Sequence, residues 1–381
     1  MVRRLCALFL YGFLMLCLFS ARADFTLQDQ SLELGIHRLH YPVAQSEEDP
    51  LEAAALNARM QEALDIPGLT LRLSQVLDAT VPLTASWEMT GNDAILSLVL
   101  SAEGPLDSSR FAHRWHTLNL TAAALDTITW TDLFAEPEKA FACMEAQIAD
   151  EILPELSAHL MHADLLPLPD TFSLSPYGLT LYYPMERFQT LSDHAGAVSF
   201  AWYELRDFLL LDPGSILDQL QVNMHLGAID REALYHALES GDIPGIPVRL
   251  GEKLTDVFAR SPMAQDPDLC ESGRLYVTED SRMRGVSLLT DALSLRDYTD
   301  SIVQGIRTTR CNLYGLITGS TSRDQILSAL GEASSTLLVT PDMAESMRWV
   351  PGTLDIYTLP SCRLQLLTDS EGILQMIALT L

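Results

Sequence analysis

The chain is 381 residues long and carries 51 acidic against 24 basic residues, a formal net charge of -27. So acidic a surface argues against a polyanionic partner such as nucleic acid or teichoic acid, which is normally held by clustered Lys and Arg, and favours solubility or a basic partner. The length exceeds what one hydrophobic core usually organises, so two or three domains are expected.

The first 23 residues have a basic head at Arg3 and Arg4, an apolar core from Leu5 to Phe19, and small residues at Ala21 and Ala23. This is the pattern of a cleaved secretory signal, with the mature chain expected to begin at Asp24. Cleavage would remove three arginines and take the formal charge to -30. An uncleaved anchor is the rival reading, but the apolar run falls short of the roughly 20 residues that span a bilayer. Bulky Leu16 ahead of Cys17 argues against lipidation. The expected location is therefore extracytoplasmic, secreted or envelope-associated, with no transmembrane segment after cleavage. Four cysteines would remain, and Cys311 with Cys362, or either with Cys270, is the pairing such a setting permits. Cys143 reads as a buried thiol on an amphipathic helix.

Taken in order, residues 32–41 read as a strand, and 51–63 as a helix of Ala, Leu, Met, Glu and Gln, ended by Pro67-Gly68. Residues 69–77 and 85–89 are weaker strands. Residues 94–100 form a clear strand, bounded by Gly91-Asn92-Asp93 and Gly104-Pro105, and 114–120 another. Residues 126–134 suggest a short strand passing into a turn. From Pro137 to Met161 the spacing of Phe141, Met144, Ile148, Ile152, Leu156 and Leu160 gives a helical apolar stripe, kinked or divided at Pro154.

The sequence centres on residues 172–208. Phe172-Ser173-Leu174 and 178–184 are strands turned by Pro176 and Gly178, and 196–203 supplies a third, with Val198, Phe200 and Trp202 on one face. A boundary is expected near Asp212-Pro213-Gly214. Residues 215–224 and 231–238 look like a helical linker over 214–241, with Asp230 as a cap. Beyond it, 245–258 can be set against 315–327. Each passes from a glycine-led apolar pair through a glycine turn into a short helix, at an offset of about 70 residues. Two tandem modules are expected, about 242–312 and 313–381. In the second, Leu330-Gly331 ends a helix, and strands follow at 347–350, 353–357, 363–367 and 373–379, the last two joined as a hairpin by Gly372. The fold class is α+β: an antiparallel sheet covered by helices, then a second α+β region of two small modules.

Several segments now combine: Tyr41-Pro42, Asn57, Leu118-Asn119-Leu120, residues 128–134 (ITWTDLF), Phe172, residues 178–183 (GLTLYY), Gly196 and Tyr203-Glu204-Leu205. In this order they resemble the extracytoplasmic module shared by lysozyme-sensing anti-sigma factors and the non-catalytic region of some peptidoglycan deacetylases. The resemblance covers about half the chain. It implies action by contact, with a basic protein or a peptidoglycan-associated partner. The membrane helix and cytoplasmic segment of those anti-sigma factors have no counterpart here. Gly319, Ile326, Leu330, Gly331 and the strands after them are similar to secreted modules of the outer-membrane-assembly lipoprotein and β-lactamase-inhibitor-protein type, which also bind proteins.

For chemistry the sequence offers little. It contains no nucleophile elbow, zinc-protease helix or phosphate loop. His159 and His162 with Asp164 lack a third ligand at a recognised spacing and read as polar-face histidines. His113 and His116 flank Trp115 but would point to opposite faces of a strand. Glu204 and Asp207 could be offered as paired carboxylates for hydrolysis, though such pairs are common in so acidic a chain. Tyr183, Tyr203 and Glu204 are the candidate partner-contact surface. The expectation is a non-enzymatic binding or structural protein using no cofactor. The alternatives are an accessory protein in peptidoglycan modification or lysozyme binding, and an uncharacterised envelope hydrolase.

Overall fold

A computed structural model describes residues 25–76, 80–107, 110–149, 168–183, 196–260, 263–265, 275–278, 283–290 and 299–381. The expected leader, Pro154, His159, His162, Asp164 and Cys270 lie outside the described residues.

Strands β1 (Thr26–Leu34), β2 (His37–Gln45), β3 (Thr84–Met89), β4 (Ile95–Asp107) and β5 (Arg110–Thr121) form one sheet in that order. Where one strand is predicted around 32–41, the chain makes a hairpin. Gly35, with φ of 65°, takes the left-handed conformation that the turn between β1 and β2 needs. Helix α1 (Pro50–Ala63) starts at Asp49, whose side chain accepts from Glu52 N at 2.9 Å. It is followed by α2 (Ile66–Gln75), where a strand is predicted. Pro67 occupies the first turn of α2, where a proline lacks no needed N–H, so Pro67-Gly68 opens a helix instead of only closing one.

The run Ile95-Leu96-Ser97-Leu98-Val99-Leu100 is apolar on both faces because both faces are covered. Leu96, Leu98 and Leu100 pack with Leu56, Met60, Leu69 and Leu73 of the helices, while Ile95 and Val99 join the cluster of Phe172, Leu181 and Trp202. The strand also outruns its expected stop at Gly104-Pro105, with a register shift near that point.

Strands β6 (Phe172–Leu174), β7 (Gly178–Tyr182) and β8 (Ala197–Ala201) form the expected antiparallel sheet, in the register Phe172↔Leu181 and Leu179↔Phe200. Trp202 and Tyr203 leave it for a 3-10 turn over Trp202–Phe208. Polar side chains stitch this sheet to the first one. The Leu174 amide donates to Ser97 Oγ at 2.8 Å and Asn119 Nδ2 donates to the Phe172 carbonyl at 2.8 Å. Helices α3 (Trp130–Leu133) and α4 (Pro137–Gln147) close the cluster, with Trp130 stacked 4.1 Å from Phe172.

The linker segment divides between two cores. Leu217 in α5 (Ile216–Gln219), Leu220 at its C-terminal cap, and Val222 and Leu226 in α6 (Val222–Leu226) pack with Trp202. Leu234 and Leu238 in α7 (Arg231–Leu238) belong to the next core, and Asp230 caps α7 through Ala233 N at 3.0 Å.

The C-terminal strands form one eight-stranded sheet. Helix α8 (Leu254–Arg260) precedes β9 (Met263–Gln265), β10 (Leu275–Thr278), β11 (Val286–Thr290) and β12 (Val303–Thr308). After the two-residue strands β13 (Asn312–Leu313) and β14 (Leu316–Ile317), helix α9 (Arg323–Leu330) precedes β15 (Ser335–Val339), β16 (Gly352–Thr358), β17 (Arg363–Asp369) and β18 (Leu374–Thr380). The two four-strand runs meet where β12 pairs antiparallel with β18, giving the order 15-16-17-18-12-11-10-9. A short helix, α10 (Pro341–Met347), runs into the stretch where a strand is predicted at 347–350, and no strand forms there: Arg348, with φ of 51°, ends the helix in the left-handed conformation. No helix among the described residues is long and apolar enough to cross a membrane.

Candidate functional site at the seam between the two cores

The 3-10 turn after β8 carries Glu204 to the seam. Its Oε2 accepts from the Ala201 amide at 2.8 Å, which fixes the carboxylate. From the other half Arg310, two residues beyond the end of β12, donates through Nε to Glu204 Oε1 at 2.7 Å and through Nη2 to Oε2. This is the two-pronged geometry a guanidinium is shaped for. Arg284 Nη2 stands 3.7 Å from Glu204 Oε1, and all three side chains are at most 15% exposed. The adjacent Tyr203 hydroxyl accepts from Thr318 Oγ1 at 3.3 Å. Burial, reinforced by the Glu204 charge, pushes its pKa above the usual phenol range.

A second contact crosses the seam nearby. His225 on α6 lies between the rings of Tyr177, at 4.6 Å, and Tyr314, at 4.5 Å. Its Nδ1 accepts from the Tyr314 amide at 3.2 Å, and its carbonyl accepts from the Gly315 amide at 3.1 Å. Burial lowers the His225 pKa to about 4, so the ring is neutral at pH 7. Gly315 is required here: at φ of 84°, an added Cβ would sit 2.5 Å from the Ile229 nitrogen.

Of the expected contact surface, then, Glu204 faces the other half of the chain and Tyr203 is partly buried beside it. Tyr183 is 2% exposed, and burial, with the nearby Glu145 charge, raises its pKa. These three residues form no exposed patch, because the apolar strand ends of 178–183 and 196–203 pack inward. Asp207 is exposed while Glu204 is committed to Arg310, so the two are not a free carboxylate pair. His113 is buried, bonded to Ser101 Oγ at 2.7 Å, with its ring centroid 4.2 Å from that of Trp115. Cys143, Cys311 and Cys362 are free thiols, which overturns the Cys311–Cys362 pairing. Cys311 lines the seam and burial pushes it up to about 12, while Cys362 lies against the Leu238 carbonyl at 3.8 Å. Among the described residues no cluster of His, Cys, Asp and Glu could hold a metal ion.

Sequence reasoning missed Arg284, Arg310 and Asn312. The available signal was an Arg and an Asn embedded in a stretch that is otherwise small and apolar (residues 310–317), in a chain with few basic residues. Two cavities open at the seam. One of about 120 Å³ is lined by Thr180, Ser199, Arg284, Arg310 and Asn312 among others. The other, about 690 Å³, is a groove between Arg206 and Asp324.

No family model matches the sequence, and no curated protein does. Among solved structures the chain is similar to a DUF3298 family member from Bacteroides fragilis, at 11% identity and a TM-score of 0.32, over 52% of this chain and 96% of that one. It is similar to a DUF3298 family protein from Pseudomonas aeruginosa at 10% identity and a TM-score of 0.32, over 49% and 93%. A DUF4309 family protein from Bacillus subtilis matches at 14% identity with a TM-score of 0.24, over 39% and 93%.

Proposed function

We propose that the chain is an extracytoplasmic, non-enzymatic protein that acts by contact with a basic protein at the cell envelope. The observation that carries this reading is the surplus of 51 acidic over 24 basic residues. A field of that sign raises the encounter rate with a cationic partner and repels polyanions. The secretory pattern of residues 1–23 supports the location. The commitment of Glu204 to Arg310, and of Cys311 to a buried, protonated state, favours contact over catalysis by those groups.

The test is a titration of the purified protein with lysozyme, with cytochrome c as a basic control, and with peptidoglycan fragments. The expected result is saturable binding to lysozyme that weakens with salt and exceeds binding to cytochrome c. Equal binding of both basic proteins, or turnover of peptidoglycan without lysozyme binding, would reject the proposal.

A further inference from the structure

The eight-stranded sheet ends in β15, and among the described residues no strand lies beyond it. Its pairing with β16 runs without a register shift from Ser335↔Ile356 to Val339↔Gly352, so the backbone N–H and C=O groups that point away from β16 have no neighbouring strand to bond. Proteins usually blunt such an edge with a charge, a proline, a bulge or a very short strand. The run Ser-Thr-Leu-Leu-Val has no charge, proline or bulge, and its five residues exceed the three of β9 at the opposite edge. Successive side chains of a strand point to opposite faces. With Leu337 43% and Leu338 69% exposed, neither face of β15 is covered at its middle. Carboxylates stand at both ends: Glu332 before the strand, Asp342 and Glu345 after it, all exposed, against Arg348 as the one base between 331 and 350.

We propose that this edge takes up an extended segment of a basic protein as a further strand, the segment being apolar at its centre with Lys or Arg at its ends. The two main chains form the ladder, Leu337 and Leu338 give apolar contact, and the carboxylates meet the cations. A second copy of the chain is a poorer occupant. Antiparallel pairing of β15 with itself about Leu337 sets Ser335 opposite Val339 and carries Glu332 of each copy toward Asp342 of the other, and like charges so placed repel. Self-pairing is thereby confined to high concentration. The proposal rests on the reading that the partner is basic, and adds where and how that partner is met.

The experiment measures amide hydrogen exchange of the full chain by NMR with three peptides. These are acetyl-Lys-Val-Thr-Val-Thr-Val-Lys-amide, the same peptide with Glu for both lysines, and the lysine peptide with proline for its central valine, which keeps the charge and interrupts the ladder. Each is titrated to about 5 mM. The lysine peptide is expected to slow exchange within Ser335–Val339 saturably, by at least about tenfold, and the other two to bind at least about tenfold more weakly. Leu338→Lys, at an exposed position where the fold tolerates it, should weaken the lysine peptide by a similar factor. No slowing within Ser335–Val339, or equal binding of the proline peptide, overturns the proposal. Lysozyme separates this surface from the wider reading. Saturable lysozyme binding that Leu338→Lys leaves unchanged overturns the edge as the contact and keeps the basic partner. Slowed exchange with the lysine peptide in a chain that does not bind lysozyme keeps the edge and rejects lysozyme.

Discussion

At the scale of single residues, Glu204 and His225 bear most on the seam. Glu204→Gln leaves the Arg310 guanidinium largely buried without its counter-charge, which costs about 3 kcal/mol. Urea denaturation should show a lower midpoint at an unchanged slope. Arg310→Met in the same background should cost much less than in the wild type, because the partner charge is already gone. His225 gives a pH signature of definite sign. Its folded pKa of about 4 lies below the ordinary 6.5, so between those values the unfolded state binds the extra proton. Stability is then complete above pH 6.5 and falls by about 3 kcal/mol on acidification to pH 4. His225→Gln, which keeps an acceptor for the Tyr314 amide, should flatten that stretch of the stability–pH curve; an unchanged slope would show that the ring is not the group responsible. Asp355 acts at lower pH. It is 1% exposed; burial opposes its charge, but bonds from Arg323 and Thr336 prevail and hold its pKa below the usual carboxylate value. The stability it confers is present above about pH 4 and is lost below it.

At the scale of elements, local chemistry explains both what the sequence discloses and what it hides. Helix α9 is legible because Ser322 and Gln325 form a reciprocal cap, Ser322 N donating to Gln325 Oε1 at 2.8 Å, and because Gly331 ends it. Ser322→Ala should cost about 1 kcal/mol in thermal or chemical denaturation. Strand β15 was not legible. Its Ser-Thr-Leu-Leu-Val run has no alternation to read, since all but Val339 are exposed on an edge strand. Leu338 is 69% exposed, so Leu338→Lys should change stability by no more than about 0.5 kcal/mol. It should also reduce self-association at high concentration in light scattering, because a charged edge resists pairing. Helix α2 reads as a strand for a different reason: Leu69, Thr70, Leu71 and Leu73 mimic one, and only the fit of Pro67 to a first helical turn marks a helix. The signature residues of the first half do have local causes. Asn57 bonds both the Ala44 amide, at 2.8 Å, and its carbonyl, at 2.9 Å, serving β2 as a strand neighbour would. Thr129 and Asp132 cap α3 and so present Trp130 to Phe172.

At the scale of the whole molecule, the α+β class and the three-strand centre were legible because alternation and turn residues are local. The seam was not, because Glu204 and Arg310 are distant in sequence and neither belongs to a recognised spacing. Ile317, from the second half, packs in the same cluster as Trp202, and the Glu204–Arg310 and His225–Tyr314 contacts cross at the same place. Two cores joined by buried apolar and ionic contacts should melt together, and a weakened junction should let them part. Scanning calorimetry of the wild type and Glu204→Gln tests this most directly. The expected result is one cooperative transition in the wild type, shifted down or split in two in the variant. Two separate transitions in the wild type, with neither moved by Glu204→Gln, would contradict a seam that binds the halves into one structure.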